Sequence, residues 1–490
     1  MKETRREFLR RSGCGLSMAA MATQLHHFGM LNTLAQKARG PEGGTPSDYR
    51  ALVCIYFGGG NDGNNTVIPN HSDSSVSGYP EYAAGRASQG LALAQNTLLP
   101  IAVPRIGGLS YGLHPSFGTI ANGINPGLHP LWAQGKMAMV TNVGTLVRPL
   151  TRAEYQTHPE WRPRQLFSHS DQTNQHQNAS ADVMILSGWG GRISDKMTMS
   201  ANPDRLVPTV SSVAGSRLFT VGETTQPLAI GPAPSPLSSI LALSGYNGTP
   251  VANARLAALE AQLNIEQGHD IVRASNEIHR EALRISRSLN DSSEVTVPFP
   301  NTDIGNQLKQ VARMIKARGA LRLTRQIFFC TLDGFDTHTG QIAGQASLLG
   351  LFSQASRAFF DEMTAQGIAD KVTQFTMTDF NRTFNPGGSG ANVGSDHAWA
   401  NHQFVIGGSV LGGDFHGINT TNGTPFPTLI QNGPDDADTG NARGRWIPTT
   451  SVEQYAGTLA TWFGLQSNDV EYVFPNMGNF PVTNLGFMMP

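Results

Sequence analysis

A chain of 490 residues with a formal net charge of −1 has no basic surplus for nucleic acid or an anionic membrane surface to engage. Hydrophobic residues make up 39%, enough for a large core, while charged residues at 14% fall well below the usual quarter. The 54 glycines and 29 prolines are scattered, which suggests many long ordered loops, and three cysteines without a CxxC spacing exclude a disulfide framework.

The first residues read as an export signal. Thr4-Arg5-Arg6-Glu7-Phe8-Leu9-Arg10 matches the twin-arginine pattern of two arginines, any residue, Phe-Leu and a basic residue. The weakly apolar stretch 13–25 that follows is too short to remain as a membrane helix. Residues 1–40 are therefore read as a twin-arginine signal peptide and spacer. The twin-arginine translocase is the expected partner during export, and the periplasm or the exterior is the expected place of work. Cys14 falls within the leader. No later segment reaches the ~18 apolar residues a span requires, so no integral membrane segment is expected after processing.

After a Gly/Pro-rich spacer, the apolar run 49–57 predicts a strand buried on both faces, as in a parallel sheet. It ends in Gly58-Gly59-Gly60-Asn61-Asp62-Gly63, placing Asp62 at the carboxyl end of a central strand, where open α/β sheets bind ligands. Runs 137–141, 326–332 and 372–377 repeat this grammar of strand followed by polar loop. The run 403–408 instead has its polar residues in front. Helical periodicity predicts helices over 347–366 and 452–463. It also predicts a long helix over 253–290, open to a break at Gly268, and another over 304–320. These last two form a helical insertion at about 252–320. The expected architecture is one α/β domain over 48–490 with a mostly parallel central sheet and helices on both faces. Cys54 and Cys330 sit in the first and third apolar runs. They read as buried free thiols or as a disulfide between neighbouring strands.

Acids and histidines gather at those strand ends. Asp62 follows the first strand, Asp336 and His338 another, and Asp379 a third, while Asp396, His397 and His402 precede the last. Carboxylate oxygen with imidazole nitrogen suits a divalent metal, and ligands from several strand ends converge on one rim. Each has a plainer reading too: Asp62 as a turn former or helix N-cap, Asp379 as an ion-pair partner of Arg382, His397 and His402 as core histidines. The candidate metal ligands are thus Asp62, Asp336, His338, Asp379, His397 and His402.

Several motifs resemble the family known as domain of unknown function 1501. They are Gly58-Gly59-Gly60-Asn61-Asp62-Gly63-Asn64-Asn65, Leu166-Phe167-Ser168-His169-Ser170-Asp171-Gln172, Ser187-Gly188-Trp189-Gly190-Gly191-Arg192 and Gly334-Phe335-Asp336-Thr337-His338. Thr378-Asp379-Phe380-Asn381-Arg382-Thr383, Asp396-His397-Ala398-Trp399-Ala400-Asn401-His402 and Ile447-Pro448-Thr449-Thr450-Ser451-Val452-Glu453-Gln454-Tyr455 follow in order. The resemblance implies a fold similar to the alkaline phosphatase superfamily of phosphatases, sulfatases and cofactor-independent phosphoglycerate mutases. It implies a divalent metal (zinc, calcium or manganese), and an Asp-Gly ligand motif matched by Asp62-Gly63. The superfamily's Asp-His dipeptide is replaced here by Asp379-Phe380. Ser168 or Ser170, with Thr66 behind them, is the implied nucleophile. Arg192 and Arg382 are candidates to clamp an anionic ester oxygen. The implied activity is metal-dependent hydrolysis of a small phosphate or sulfate ester. The alternative is a non-catalytic binding or assembly factor with a degenerate metal site.

Overall fold

The computed structural model describes residues 48–119, 125–202, 207–237, 248–265, 294–319 and 321–490, with isolated positions between 272 and 283. The leader and most of 266–293, hence the greater part of the expected helix 253–290, lie outside the described residues. A helix is described at Pro250–Leu263.

In chain order the strands are β1 (Arg50–Gly58), β2 (Val67–Pro69), β3 (Leu99–Val103), β4 (Leu109–Leu113), β5 (Met137–Gly144) and β6 (Val210–Ser212). They continue with β7 (Leu228–Ala229), β8 (Arg325–Asp333), β9 (Val372–Thr378), β10 (Asn401–Gly407), β11 (Phe415–His416) and β12 (Thr450–Ser451). Nine form one sheet in the order β11-β5-β10-β9-β1-β8-β6-β7, with β12 also on β5, while β2, β4 and β3 make a small antiparallel sheet. In the large sheet every pairing is parallel except the two made by β10, which runs against β5 and β9. The sheet is mixed and mostly parallel, as expected.

β1 explains why the run 49–57 is apolar without interruption. It lies between β8 and β9, and successive side chains alternate between two cores. Ala51, Val53, Ile55 and Phe57 enter the core shared with Leu308, Val311, Phe352 and Phe359. Leu52, Cys54 and Tyr56 enter the one shared with Trp189, Ile193, Tyr455 and Leu459. Helices therefore cover both faces: Asp303–Lys316 and Gln341–Ala365 on one, Trp189–Ala201 and Val452–Phe463 on the other. The helix Asp303–Lys316 shows its local logic plainly. Thr302 caps it by accepting from the Gly305 N–H, and Ile304, Leu308, Val311 and Ile315 recur every three or four residues along its buried face.

Alternation also settles the cysteines. Cys330 is level with Ile55, one residue beyond Cys54, so the two thiols point into opposite cores. Both are free and buried, and a bond through the sheet is sterically impossible. Among the described residues no helix is long and apolar enough to cross a membrane.

Candidate metal centre

The reversal of β10 is what assembles the site. β9 and β1 deliver their carboxyl ends to one edge of the sheet, and β10, running the other way, begins at that edge. Residues that precede β10 therefore meet residues that follow β9. The ladder continues past the sheet: Ala398 N–H donates to Asn381 O at 2.8 Å and Thr383 N–H to Asp396 O at 2.8 Å, and Arg382 bridges His397. The loop after β8 joins through Ser395 N–H, which donates to Thr337 O at 3.2 Å. Gly59 fits between: at φ +111° a side chain there would meet Asp336 N at 2.4 Å.

Three imidazoles surround one carboxylate oxygen on this edge. Asp336 Oδ1 lies 3.0 Å from His338 Nε2, 3.4 Å from His169 Nε2 and 3.5 Å from His397 Nε2. It also accepts from Arg382 Nη2 at 2.6 Å. Ligand atoms of His169, Asp336 and His397 all fall within 4.8 Å of one another, and His338 Nε2 sits 3.1 Å from His397 Nε2. Each ring has its other nitrogen occupied. His169 Nδ1 is 2.7 Å from Asp379 Oδ2, His338 Nδ1 is 3.0 Å from Asp396 Oδ1, and His397 Nδ1 is 2.8 Å from Phe167 O. A carbonyl can only accept, so His397 carries its proton on Nδ1 and presents a lone pair at Nε2. This is how metal-ligating histidines are oriented by the groups behind them.

Charge on the edge is balanced locally. Partial burial pushes the Asp336 carboxyl up, but the Arg382 hydrogen bond and charge outweigh it and hold the group below its usual range. Asp396 is likewise lowered, burial being outweighed by Arg443 and then His338. The Asp379 hydrogen bond raises His169 above an ordinary imidazole, whereas burial, with His169 and Arg382 nearby, lowers His397. Nε2 of His169 is shut from solvent without a hydrogen-bond partner. Such an orphan among imidazoles and a carboxylate fits a divalent cation.

Of the expected ligands, the structure brings together Asp336, His338, Asp379 and His397, with Asp379 behind His169. Asp62 and His402 are elsewhere. Asp62 has 0% of its side chain exposed and caps the short helix Gly63–Thr66, accepting from Asn64 N–H at 3.1 Å. Its carboxylate is paired with buried Arg86 and hydrogen-bonded by Gln341, so its lone pairs are spent inside the protein. His402 is buried, accepts from Asn142 N–H at 3.1 Å, and burial lowers it to about 3. It is a neutral core histidine.

Of the other candidates, Arg192 donates to the carbonyls of Val473, Ser187 and Asn178, holding loops together. Arg382 has a side chain 0% exposed, and its Nε and Nη1 lack partners. Ser168 and Ser170 both donate to Asp171 Oδ2, at 2.7 and 3.2 Å. Thr66 is buried and donates to Asp62 O at 2.8 Å, out of reach of a substrate. His169, which sequence reasoning passed over between its two serines, opens the helix His169–Asn178. Its ring lies 4.7 Å from that of Phe380.

No curated protein matches the chain. Among solved structures it is similar to the zinc-bound C-terminal periplasmic domain of EcEptC from Escherichia coli, at 10% identity and a TM-score of 0.28, covering 74% of this chain and 73% of that one. It is also similar to the PsFucS1 sulfatase from Pseudoalteromonas sp., at 8% identity and a TM-score of 0.27, covering 80% and 68%. At these scores the likeness carries no chemistry. The family model described as "Protein of unknown function (DUF1501)" matches residues 49–425, and the chain belongs to that family.

Proposed function

We propose that the chain is a metal-dependent hydrolase of small phosphate or sulfate esters, built on an alkaline phosphatase-like scaffold and exported through the twin-arginine pathway. The observation that carries this is the convergence of His169, His338 and His397 on Asp336, each ring fixed from behind. Three imidazoles and one carboxylate suit zinc or manganese better than calcium, which prefers an all-oxygen shell. When bound, such an ion would act as a Lewis acid on the ester and favour ionisation of an attacking hydroxyl or water.

The chain's own residues do the rest. Asp379, Asp396 and the Phe167 carbonyl hold the imidazoles in one tautomer, so their lone pairs need no reorganisation. Arg382, whose side chain is closed to solvent, serves from behind the cluster and not as a clamp on the ester: its Nη2 hydrogen bond keeps Asp336 ionised. Ser168, half-buried next to His169, is the proposed attacking hydroxyl ahead of exposed Ser170, with Asp171 accepting its proton in the hydrogen bond. The rival reading, a non-catalytic factor with a degenerate site, draws on the loss of Asp62 to the interior and on both serines being engaged with Asp171.

Metal analysis of the purified mature protein, with turnover measured on p-nitrophenyl phosphate and p-nitrophenyl sulfate, separates the two. We expect a stoichiometric divalent ion and hydrolysis of at least one ester. A folded protein with neither belongs to the rival reading. Export is tested separately: changing Arg5 and Arg6 both to Lys removes the guanidinium forks and is expected to leave the precursor in the cytoplasm. Normal appearance of that variant in the periplasm rules the pathway out.

A further inference from the structure

The segment 436–446 is stitched to both sides of the ladder that assembles the imidazole cluster. Just past β9, Asn385 N–H and Phe384 N–H donate to Arg443 O at 2.9 Å and to Gly444 O at 3.1 Å. Just before β10, Ala400 N–H donates to Trp446 O at 3.0 Å. Two aspartates tie the segment to itself: Asp436 Oδ1 accepts from Arg445 N–H at 3.0 Å, and Asp438 Oδ2 from Arg443 N–H at 2.8 Å. Gly444 lies between the two arginines at φ +72°, and a side chain there would meet Phe384 Cβ at 2.5 Å, so the segment presses on the loop after β9.

Arg445 grips both ends of one hydrogen bond in the centre, the one from His397 Nδ1 to Phe167 O. At the His397 end, Arg445 Nε donates to the carbonyl of His397 itself at 2.8 Å. At the Phe167 end, the guanidinium carbon stands 4.7 Å from the centre of the Phe167 ring, and cation and ring face attract. Phe167 needs that hold. Its φ of +70° lies in the left-handed region, which a residue with a Cβ keeps only where its surroundings enforce it. Asp438 Oδ1 fixes Arg445 Nη1 in turn at 2.9 Å. Arg443 does the like for a second ring: its Nη1 pairs with Asp396 Oδ2, while Asp396 Oδ1 holds His338 Nδ1 at 3.0 Å. Both guanidiniums are only partly buried, and ion pairs of that kind add little to stability, so what they secure is the orientation of the rings.

We propose that Arg445 and Arg443 are positioning residues of the imidazole cluster. Arg445 fixes His397 with its proton on Nδ1 and its Nε2 towards Asp336, and Arg443 fixes His338 through Asp396. The assignment rests on the metal-centre reading above and names what orders two of its ligands. In this role neither arginine is itself a ligand or a substrate contact. The grip on Phe167 and His397 needs a flat guanidinium that stacks and donates at once, so lysine does not replace Arg445.

The test uses the mature protein and its Arg445→Ala, Arg445→Lys, Arg443→Ala and Arg152→Ala variants. Arg152 tethers the same loop through Asn432 O and Asp438 O, both at 2.7 Å, without touching a ring, Asp396 or Phe167. Its loss therefore reports what loosening the loop does alone. Histidine-selective 15N spectra of the metal-free protein, with His397 assigned through His397→Gln, show which ring nitrogen carries the proton. Competition with a chromophoric chelator gives the affinity for zinc. We expect His397 to stay protonated on Nδ1 in the wild type and in Arg152→Ala, and to divide between its tautomers in Arg445→Ala and Arg445→Lys. Zinc affinity should fall ~10–100-fold in the Arg445 and Arg443 variants, the range for groups that orient a ligand, and stay near wild type in Arg152→Ala. A wild-type tautomer in Arg445→Ala, undiminished zinc affinity in the Arg445 and Arg443 variants, or matching losses in Arg152→Ala overturns the assignment. Where the wild type binds zinc, such a result leaves the metal centre standing. A tautomer lost in Arg445→Ala, from a wild type that binds no zinc, supports the grip on His397 and removes the metal reading.

Discussion

Replacing His169 by alanine is expected to strip the protein of its divalent ion and of ester hydrolysis together, while the fold survives. His169 is partly exposed at the first turn of its helix, and its Nε2 makes no hydrogen bond within the protein, lying only 3.4 Å from Asp336 Oδ1. Losing the ring therefore takes little from either core. Metal affinity and hydrolysis should fall by more than the ~10–100-fold typical of losing a group that merely orients a ligand. His338→Ala should behave alike. Asp336→Asn should also release metal, but it removes the charge that neutralises Arg382, whose side chain is fully buried, so some stability goes with it. Metal stoichiometry and apo-protein melting measured on all three variants decide the matter. Unchanged metal in His169→Ala would overturn the centre.

The second large effect is expected at Asp62, and it is of the opposite kind. Asp62→Ala leaves the Arg86 guanidinium buried without its partner and deprives Gln341 of an acceptor. Breaking a buried pair from one side costs ~3–5 kcal/mol, so urea denaturation should show a loss of that order. Molecules that remain folded should keep their metal. Converting the pair to Asp62→Leu with Arg86→Met should recover much of the loss, because no charge is then stranded. A variant that loses metal at undiminished stability would restore Asp62 to the role its sequence position suggests.

Those two residues mark where the sequence was legible and where it was not. The long strands were readable because burial on both faces leaves an uninterrupted apolar run. The helix Val452–Phe463 was readable from its period, and the structure adds the Ser451 cap. β6, β7, β11 and β12 are two or three residues long and carry no period at all. Asp336, His338, Asp379 and His397 could be gathered from the rule that sites lie at strand ends. That rule placed Asp62 equally well, but a carboxylate after a strand can turn inward, and no local signal announces Arg86, twenty-four residues on, as its partner. His169 was missed for a related reason. It follows no strand, and a histidine between serines draws attention to the hydroxyls. The one pointer was the resemblance, which implies an Asp-His dipeptide where Asp379 is followed by Phe380. His402 is the converse, a histidine in the right motif whose strand carries it one step into the core.

The reversed direction of β10 has a consequence in time as well as space. The residues around Asp336 come from positions 169, 336, 338 and 397, contributed by a helix, the loop after β8 and the approach to β10. None of these segments is near another along the chain except the pair on one loop. A nascent chain that has made everything up to β9 still lacks His397 and the ladder that holds Arg382. The site therefore comes into being only when the antiparallel strand has slotted between β5 and β9, a pairing between segments more than 250 residues apart. The proposed ion would then mark completed folding: a fragment lacking β10 would not bind it as the whole chain would, and binding would stabilise only the finished topology.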